Sequence, residues 1–135
     1  MKFLEILAKV MFALIAAIGL LAFLLYYKIT HPQWESEITS GNYESFEIGL
    51  EKREVMELLV KLVPLDPRGW IKKSKNEHSR PIRFISQYEK EELLKVDKWY
   101  VNGIVGMEHC EMPDSTLYFS SGHLSKIEIK CWMKK

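Results

Sequence analysis

Residues 10–27 read VMFALIAAIGLLAFLLYY, eighteen residues from Val10 to Tyr27 without a charge. Wound as a helix at ~1.5 Å per residue, the run covers ~27 Å, close to the ~30 Å hydrocarbon thickness of a bilayer. Phe3 to Leu7 extend the apolar surface, and that places Glu5 and Lys9 in the interfacial zone. Tyr26 and Tyr27 fall at the far end, where amphipathic rings sit at headgroup depth, and Lys28 closes the segment. A cleaved secretory leader has a shorter apolar core and a small-x-small cleavage site. Here the run ends instead in Tyr26-Tyr27-Lys28-Ile29-Thr30-His31-Pro32. A lipid-modified leader needs a Cys directly after the run, and the first Cys is Cys110. The expectation is a retained single-pass anchor over residues 1–29, in contact with lipid through residues 3–27.

Lys2, Lys9 and the α-amino group precede the span, whereas Lys28 follows it and is succeeded by Glu35 and Glu37. Lys and Arg near the ends of a span favour the cytoplasmic side. The expected location is therefore the inner (cytoplasmic) membrane, with the C-terminal part periplasmic or otherwise extracytoplasmic.

Downstream of the anchor, residues 30–45 are polar and punctuated by Pro32, Ser36, Ser40 and Gly41, the composition of a juxtamembrane linker. Trp34 within it is placed either at headgroup level or against the following domain. Residues 46–135 are long enough and aromatic enough to bury a core. The net charge of +1 argues against general nucleic-acid binding, but the charges are unevenly distributed. Residues 31–57 hold seven Glu against Lys52 and Arg53, a net of −5; residues 58–84 hold seven Lys and Arg against Asp66 and Glu77, a net of +5.

Leu50–Val63 carries Val55, Leu58, Leu59 and Leu62 at helical spacing, with charges on the opposite side and Pro64 and Pro67 to stop it. Asp66–Pro81 reads as irregular. A second helix is expected from Gln87 to about Val96, opened by the capping-box pair Ser86 and Glu89. The remainder is strand-like: Trp99–Val105, then Thr116–Ser120 and Leu124–Trp132 on either side of the turn signal Ser121-Gly122. Ile127, Ile129 and Cys131 alternate with Lys126, Glu128 and Lys130, the period of a strand with one buried face and one wet one. The pattern is that of an α+β domain, helices on one face of an antiparallel sheet.

The stretch Phe46-Glu-Ile48-Gly49-Leu50-Glu-Lys-Arg-Glu54-Val55-Met-Glu-Leu58-Leu59, with the closing Leu117-Tyr-Phe119-Ser-Ser-Gly122-His-Leu124-Ser-Lys-Ile127, resembles the small SmpA/OmlA (BamE-like) domains of the bacterial envelope. That resemblance implies two helices packed on a three-stranded antiparallel sheet, used for protein–protein contact. The chain departs from the pattern in lacking a lipobox Cys, and its helix break reads Leu62-Val63-Pro64 without Gly.

Chemistry-bearing residues are sparse. His31, His78, His109 and His123 show no metal-ligand spacing with each other or with Cys, and adjacent His109 and Cys110 would point to opposite faces of a strand. Neither a nucleophile elbow nor a Gly-rich phosphate loop is present. Cys110 and Cys131 are either a disulfide, which an extracytoplasmic address permits, or two separate buried thiols. The basic stretch with Trp70 inside it supplies the partner-binding candidates: Arg68, Trp70, Lys72, Lys73, Lys75, Arg80 and Arg83. The alternative is that it is a solvated loop.

These features predict a non-catalytic, membrane-anchored protein-binding domain of the bacterial envelope. Its partner is expected to be another protein, either a toxin that it neutralises as an immunity protein or an envelope-assembly component. The competing expectation is a small single-pass subunit of a larger membrane complex that acts through its transmembrane helix. Cofactor, metal, nucleic acid and small-molecule substrate are not expected. In cell fractionation, an alkaline carbonate wash should leave the unshortened chain in the membrane pellet. A shortened chain in the supernatant would mean that the apolar run is a removed leader.

Overall fold

Ser121 and Gly122 both adopt left-handed backbone, with φ of 52° and 79°, the geometry that lets a two-residue turn match the right-handed twist of its flanking strands. The turn folds the end of the chain into a long antiparallel hairpin, on which the rest of the domain is assembled. The computed structural model describes residues 1–64 and 68–133. Its elements, in chain order, are α1 (Lys2–Thr30), β1 (Trp34–Ile38), β2 (Asn42–Tyr43), β3 (Phe46–Glu47), α2 (Lys52–Leu62), β4 (Trp70–Lys72), β5 (Arg80–Pro81), α3 (Gln87–Leu94), β6 (Lys98–Asn102), β7 (Pro113–Ser120) and β8 (His123–Cys131). A 3-10 turn at Ile82–Phe84 leads into α3.

The chain divides into two units, residues 1–32 and residues 33–135. In the first, α1 is long and apolar enough to cross a membrane. Glu5 and Lys9, one turn apart, pair at 3.0 Å, so these two of the three charged side chains near its start neutralise each other. The Thr30 hydroxyl donates to the Tyr26 carbonyl at 2.9 Å, satisfying one of the carbonyls that a helix end leaves open.

In the second unit the strands run β1-β8-β7-β6-β4-β5 in one six-stranded sheet, and every pairing is antiparallel. β2 and β3 form a separate two-stranded ribbon. The broad α+β class matches the pattern of the sequence; the expected three-stranded sheet does not, since three further strands extend it. The stretch expected to be a linker contributes β1, which lies along β8 with Trp34, Ser36 and Ile38 facing inward and Glu35 and Glu37 outward. Trp34 packs against the core. The stretch expected to be irregular contributes β4, whose single buried residue is Ile71, and the two-residue β5. Strands this short contain too few residues to show a period of two, so their pairing is dictated by the neighbouring strand rather than by local pattern. Pro67 as a helix stop, and Asp66, lie outside the described residues; α2 ends at Leu62, two residues before Pro64.

One face of the sheet carries the core. Trp99, Val101, Leu117, Phe119, Leu124, Ile127 and Ile129 point inward and are buried, and α2 covers them with Val55, Met56 and Leu59. A β-bulge between Tyr118 and Phe119 leaves Ser125 as the extra residue of β8. This is why the inward positions Leu124 and Ile127 stand three apart, and the Ser125 hydroxyl donates to the Tyr118 carbonyl at 3.0 Å. The Trp99 indole N–H donates to the Leu93 carbonyl at 2.8 Å, which serves the open end of α3. Lys52 performs the same service from the start of α2, reaching the Leu94 carbonyl at 3.2 Å and the Asp97 carboxylate at 2.7 Å. The capping box expected at α3 is present in both halves. Lys95, just past the end of α3, pairs with Glu92 at 2.8 Å.

Gly69 stands where a side chain would collide with the core: a Cβ there would lie 2.5 Å from Cδ1 of Ile104. The loop 103–112 is held by the Glu44 carboxylate, which accepts the backbone N–H groups of Gly106 at 3.1 Å and Glu108 at 3.3 Å. Within it Cys110 is disulfide-bonded to Cys131 at the end of β8, with 21 residues of sequence separation. Both cysteines are buried. Closing a loop of that length is worth ~3 kcal/mol by chain entropy. Replacing both cysteines by Ala should lower the unfolding free energy of the detergent-solubilised chain by roughly that amount in a urea titration, and a loss below ~1 kcal/mol would contradict this role.

Candidate functional site

A sheet covered by helices on one side leaves the other side open. In β4, β6, β7, β8 and β1 the residues between the core positions point outward, and the strand register sorts them into rows. One row runs Trp70, Asn102, Asp114, Lys130, Glu35; the next runs Lys72, Tyr100, Thr116, Glu128, Glu37; the third holds Lys98, Tyr118 and Lys126. Most of these side chains are half-buried by one another, and Trp70 is 42% exposed.

The third row is organised around the Tyr118 ring. Lys126 lies 4.2 Å from the ring centroid and Lys98 lies 4.9 Å from it, with Lys98 also 5.3 Å from the Tyr100 ring. Ammonium groups over aromatic faces are attracted by the ring quadrupole. The Tyr118 hydroxyl donates to Glu128 at 2.8 Å, and this bond, with the pull of Lys126, holds the Glu128 carboxyl below its ordinary value. Lys126 pairs with Glu128 at 3.2 Å and with Glu37 at 4.0 Å. The β1 side of the face is thus a closed set of partners.

The β4 side is different. Lys75, Lys98, Tyr100, Asp114, Thr116, Tyr118, Glu128, Lys130 and Trp132 line a cleft of about 190 Å³. Asp114 is its most deeply set charge. Burial pushes its carboxyl above the ordinary value; Lys130, Lys72, a hydrogen bond from Trp132 and Lys75 all oppose that shift without cancelling it. Among the described residues, Lys72, Lys75, Lys98 and Lys130 have no carboxylate within ion-pair distance. Lys72 donates to the Lys75 carbonyl at 3.4 Å, and the face offers several ammonium groups without a carboxylate partner beside aromatic rings, an arrangement suited to holding acidic groups.

The run of candidates from the sequence splits in two. Trp70 and Lys72 are outward residues of β4, Lys75 lines the cleft, and Arg68 lines an adjoining depression with Asn102, Asp114 and Trp132. Lys73, Arg80 and Arg83 lie elsewhere. Lys73 approaches Glu77 at 3.5 Å and Glu92 at 3.7 Å, Arg80 approaches Glu89 at 3.7 Å, and the Arg83 guanidinium stacks 4.6 Å from the Phe84 ring. On that side the acids of α3 answer the basic charges. The sequence reading missed Lys98, Tyr100, Tyr118 and Trp132 as surface residues of one site. For Lys98, Tyr100 and Tyr118 the signal was the strand alternation itself, which marks every second residue of β6 and β7 as outward-facing; Trp132, just past β8, carries no such signal.

On the core side, the Tyr43 hydroxyl is buried without a hydrogen-bond partner among the described residues. Burial, with Glu44 and Glu108 nearby, pushes its pKa up to about 12. Groups of three or more His, Cys, Asp or Glu able to hold a metal ion are absent among the described residues. No protein-family model, no curated protein and no solved structure matches the chain.

The charge of Asp114 is a cost to folding. A carboxyl whose pKa is higher in the folded chain than its ordinary 3.8 binds its proton more tightly when folded, so stability is lost as pH rises through the folded pKa. Asp114→Asn should therefore raise the melting temperature at neutral pH, and the gain should fade as pH is lowered through the raised folded value toward 3.8 and be gone below it. Thermal melts of both chains across an acid series check this; a lower melting temperature at neutral pH would show that the lysines, not burial, dominate at Asp114.

Proposed function

We propose that the chain is a non-catalytic, membrane-anchored protein-binding domain of the bacterial envelope, and that the open sheet face is where it meets its partner. The observation that carries this reading is the face itself: Trp70, Tyr100, Tyr118 and Trp132 set among lysines. Aromatic residues of this kind concentrate binding energy at protein interfaces, while complementary charge speeds encounter and selects the partner. Two observations support an extracytoplasmic domain held on the cytoplasmic membrane. A buried disulfide suits an oxidising compartment, and Lys2 and Lys9 precede the span. The resemblance of residues 46–59 and 117–127 to SmpA/OmlA domains agrees with a role in protein contact. The partner is either a toxin, making the chain an immunity protein, or an envelope-assembly component.

The test is a photocrosslinking amino acid placed in the full chain in living cells, at Thr116 on the open face and at Glu57 on the helix layer. Thr116 should capture one protein in stoichiometric yield and Glu57 should not, and the result should persist when residues 3–27 are exchanged for an unrelated span. A secreted toxin as the captured protein would establish immunity; a resident envelope component would establish an assembly role. Loss of capture on exchanging the span would instead favour a subunit that acts through its transmembrane helix.

A further inference from the structure

We infer that the partner's contacting segment is acidic and polypeptide, and that it lies over the β4–β6–β7 half of the open face, with its carboxylates at Lys72, Lys75, Lys98 and Lys130. The inference rests on the proposed binding role and adds the chemistry of what is bound.

The charges of the face are not evenly matched. At the β1 side, Glu37, Lys126 and Glu128 already satisfy one another. Toward β4, Lys72, Lys75 and Lys130 act on one recessed acid, Asp114, and Lys98 lines the same cleft two register rows away, opposite Tyr118. Lys98 is the clearest case. Its contacts are the rings of Tyr100 and Tyr118, so its position is fixed while its charge stays available to an incoming anion. A strongly hydrated ammonium group held between rings has lost part of its water already, which lowers the desolvation cost of pairing with a carboxylate. Trp70, 42% exposed at the edge of this half, gives an apolar neighbour for a side chain flanking the acids.

The recessed acid distinguishes among anionic partners. A nucleic acid or an anionic lipid surface presents negative charge of one sign throughout, and Asp114 would repel it from the centre of the lysine cluster. A polypeptide carries carboxylates for the lysines and, between them, backbone N–H groups or a cation for Asp114. Glu35, outward and exposed on β1, adds a repulsive charge at that border, while Glu37 is already answered by Lys126, so the β1 side offers an acidic segment no free cation and favours the β4 half.

The experiment uses the full chain in cells with the crosslinker at Thr116, which lies between Tyr100 and Glu128 in the register. Lys98→Glu with Lys130→Glu should reduce the protein adduct about tenfold or more, in line with the effect of steering charge on association. Lys98→Arg with Lys130→Arg should keep it within about twofold, since the charge is retained. Lys75→Glu with Lys130→Glu, both at exposed positions, repeats the reversal where core packing is not involved. Peptide mapping of the adduct should place Thr116 against a stretch rich in Asp and Glu. Undiminished capture by both reversed chains would overturn the inference while leaving the binding role intact. A lipid adduct in place of a protein adduct would overturn it in favour of anionic headgroups. The absence of any adduct from the open face of the unmodified chain would overturn the binding role itself.

Discussion

The domain is organised by a sheet that is buried on one face only. In β8 the inward positions Leu124, Ile127, Ile129 and Cys131 are buried, while Lys126, Glu128 and Lys130 between them reach the other side. A shift of one residue in register would exchange these sets and bury charge, so the pairing of β7 with β8 dictates where the strands on either side must lie. β1 on one flank and β6 on the other inherit that register. The helices then fill one side, with α2 tied to α3 by Lys52 and α3 tied to β6 by the Trp99 indole, and the open face is the necessary remainder.

Much of this was legible in the sequence because the longest elements carry the strongest periodicity. The apolar run Val10–Tyr27, the stripe of α2, the capping box at Ser86 and the turn at Ser121-Gly122 each encode their own structure within a few residues. β1, β4 and β5 do not. Pro32 and Ser36 made residues 30–45 resemble a linker, and the lysines around Ile71 made β4 resemble a loop. In both places it is a neighbouring strand, remote in sequence, that supplies the hydrogen bonds. The same limit applied to the site. A basic run is contiguous in sequence but is divided by the fold, with Trp70, Lys72 and Lys75 on the open side and Lys73 and Arg80 facing the acids of α3. Lys98 joins the first group from β6, beside β4, and Lys130 from β8, two strands further on, an order that the sequence alone does not show.

The disulfide and the sheet face serve one another. Cys131 ends β8, and its bond to Cys110 fixes the loop 103–112 against that end, close in the chain to Asp114 and Trp132. The rim of the lysine cluster is therefore built on restrained backbone rather than on a free loop, which lowers the ordering cost of binding. The acidic stretch 31–57 supplies Glu35 and Glu37 at the β1 border, and the basic stretch 58–84 supplies Lys72 and Lys75 at the β4 side. A flat surface with a defined polarity and embedded aromatic rings is what a selective protein contact requires.

The most direct measurement is amine footprinting of the full chain in intact cells against the purified chain in detergent, read residue by residue. If the open face is the occupied surface, Lys98 and Lys130 will be protected in cells while Lys61 and Lys90 on the helix layer label equally in both. Equal labelling of all four would contradict the account.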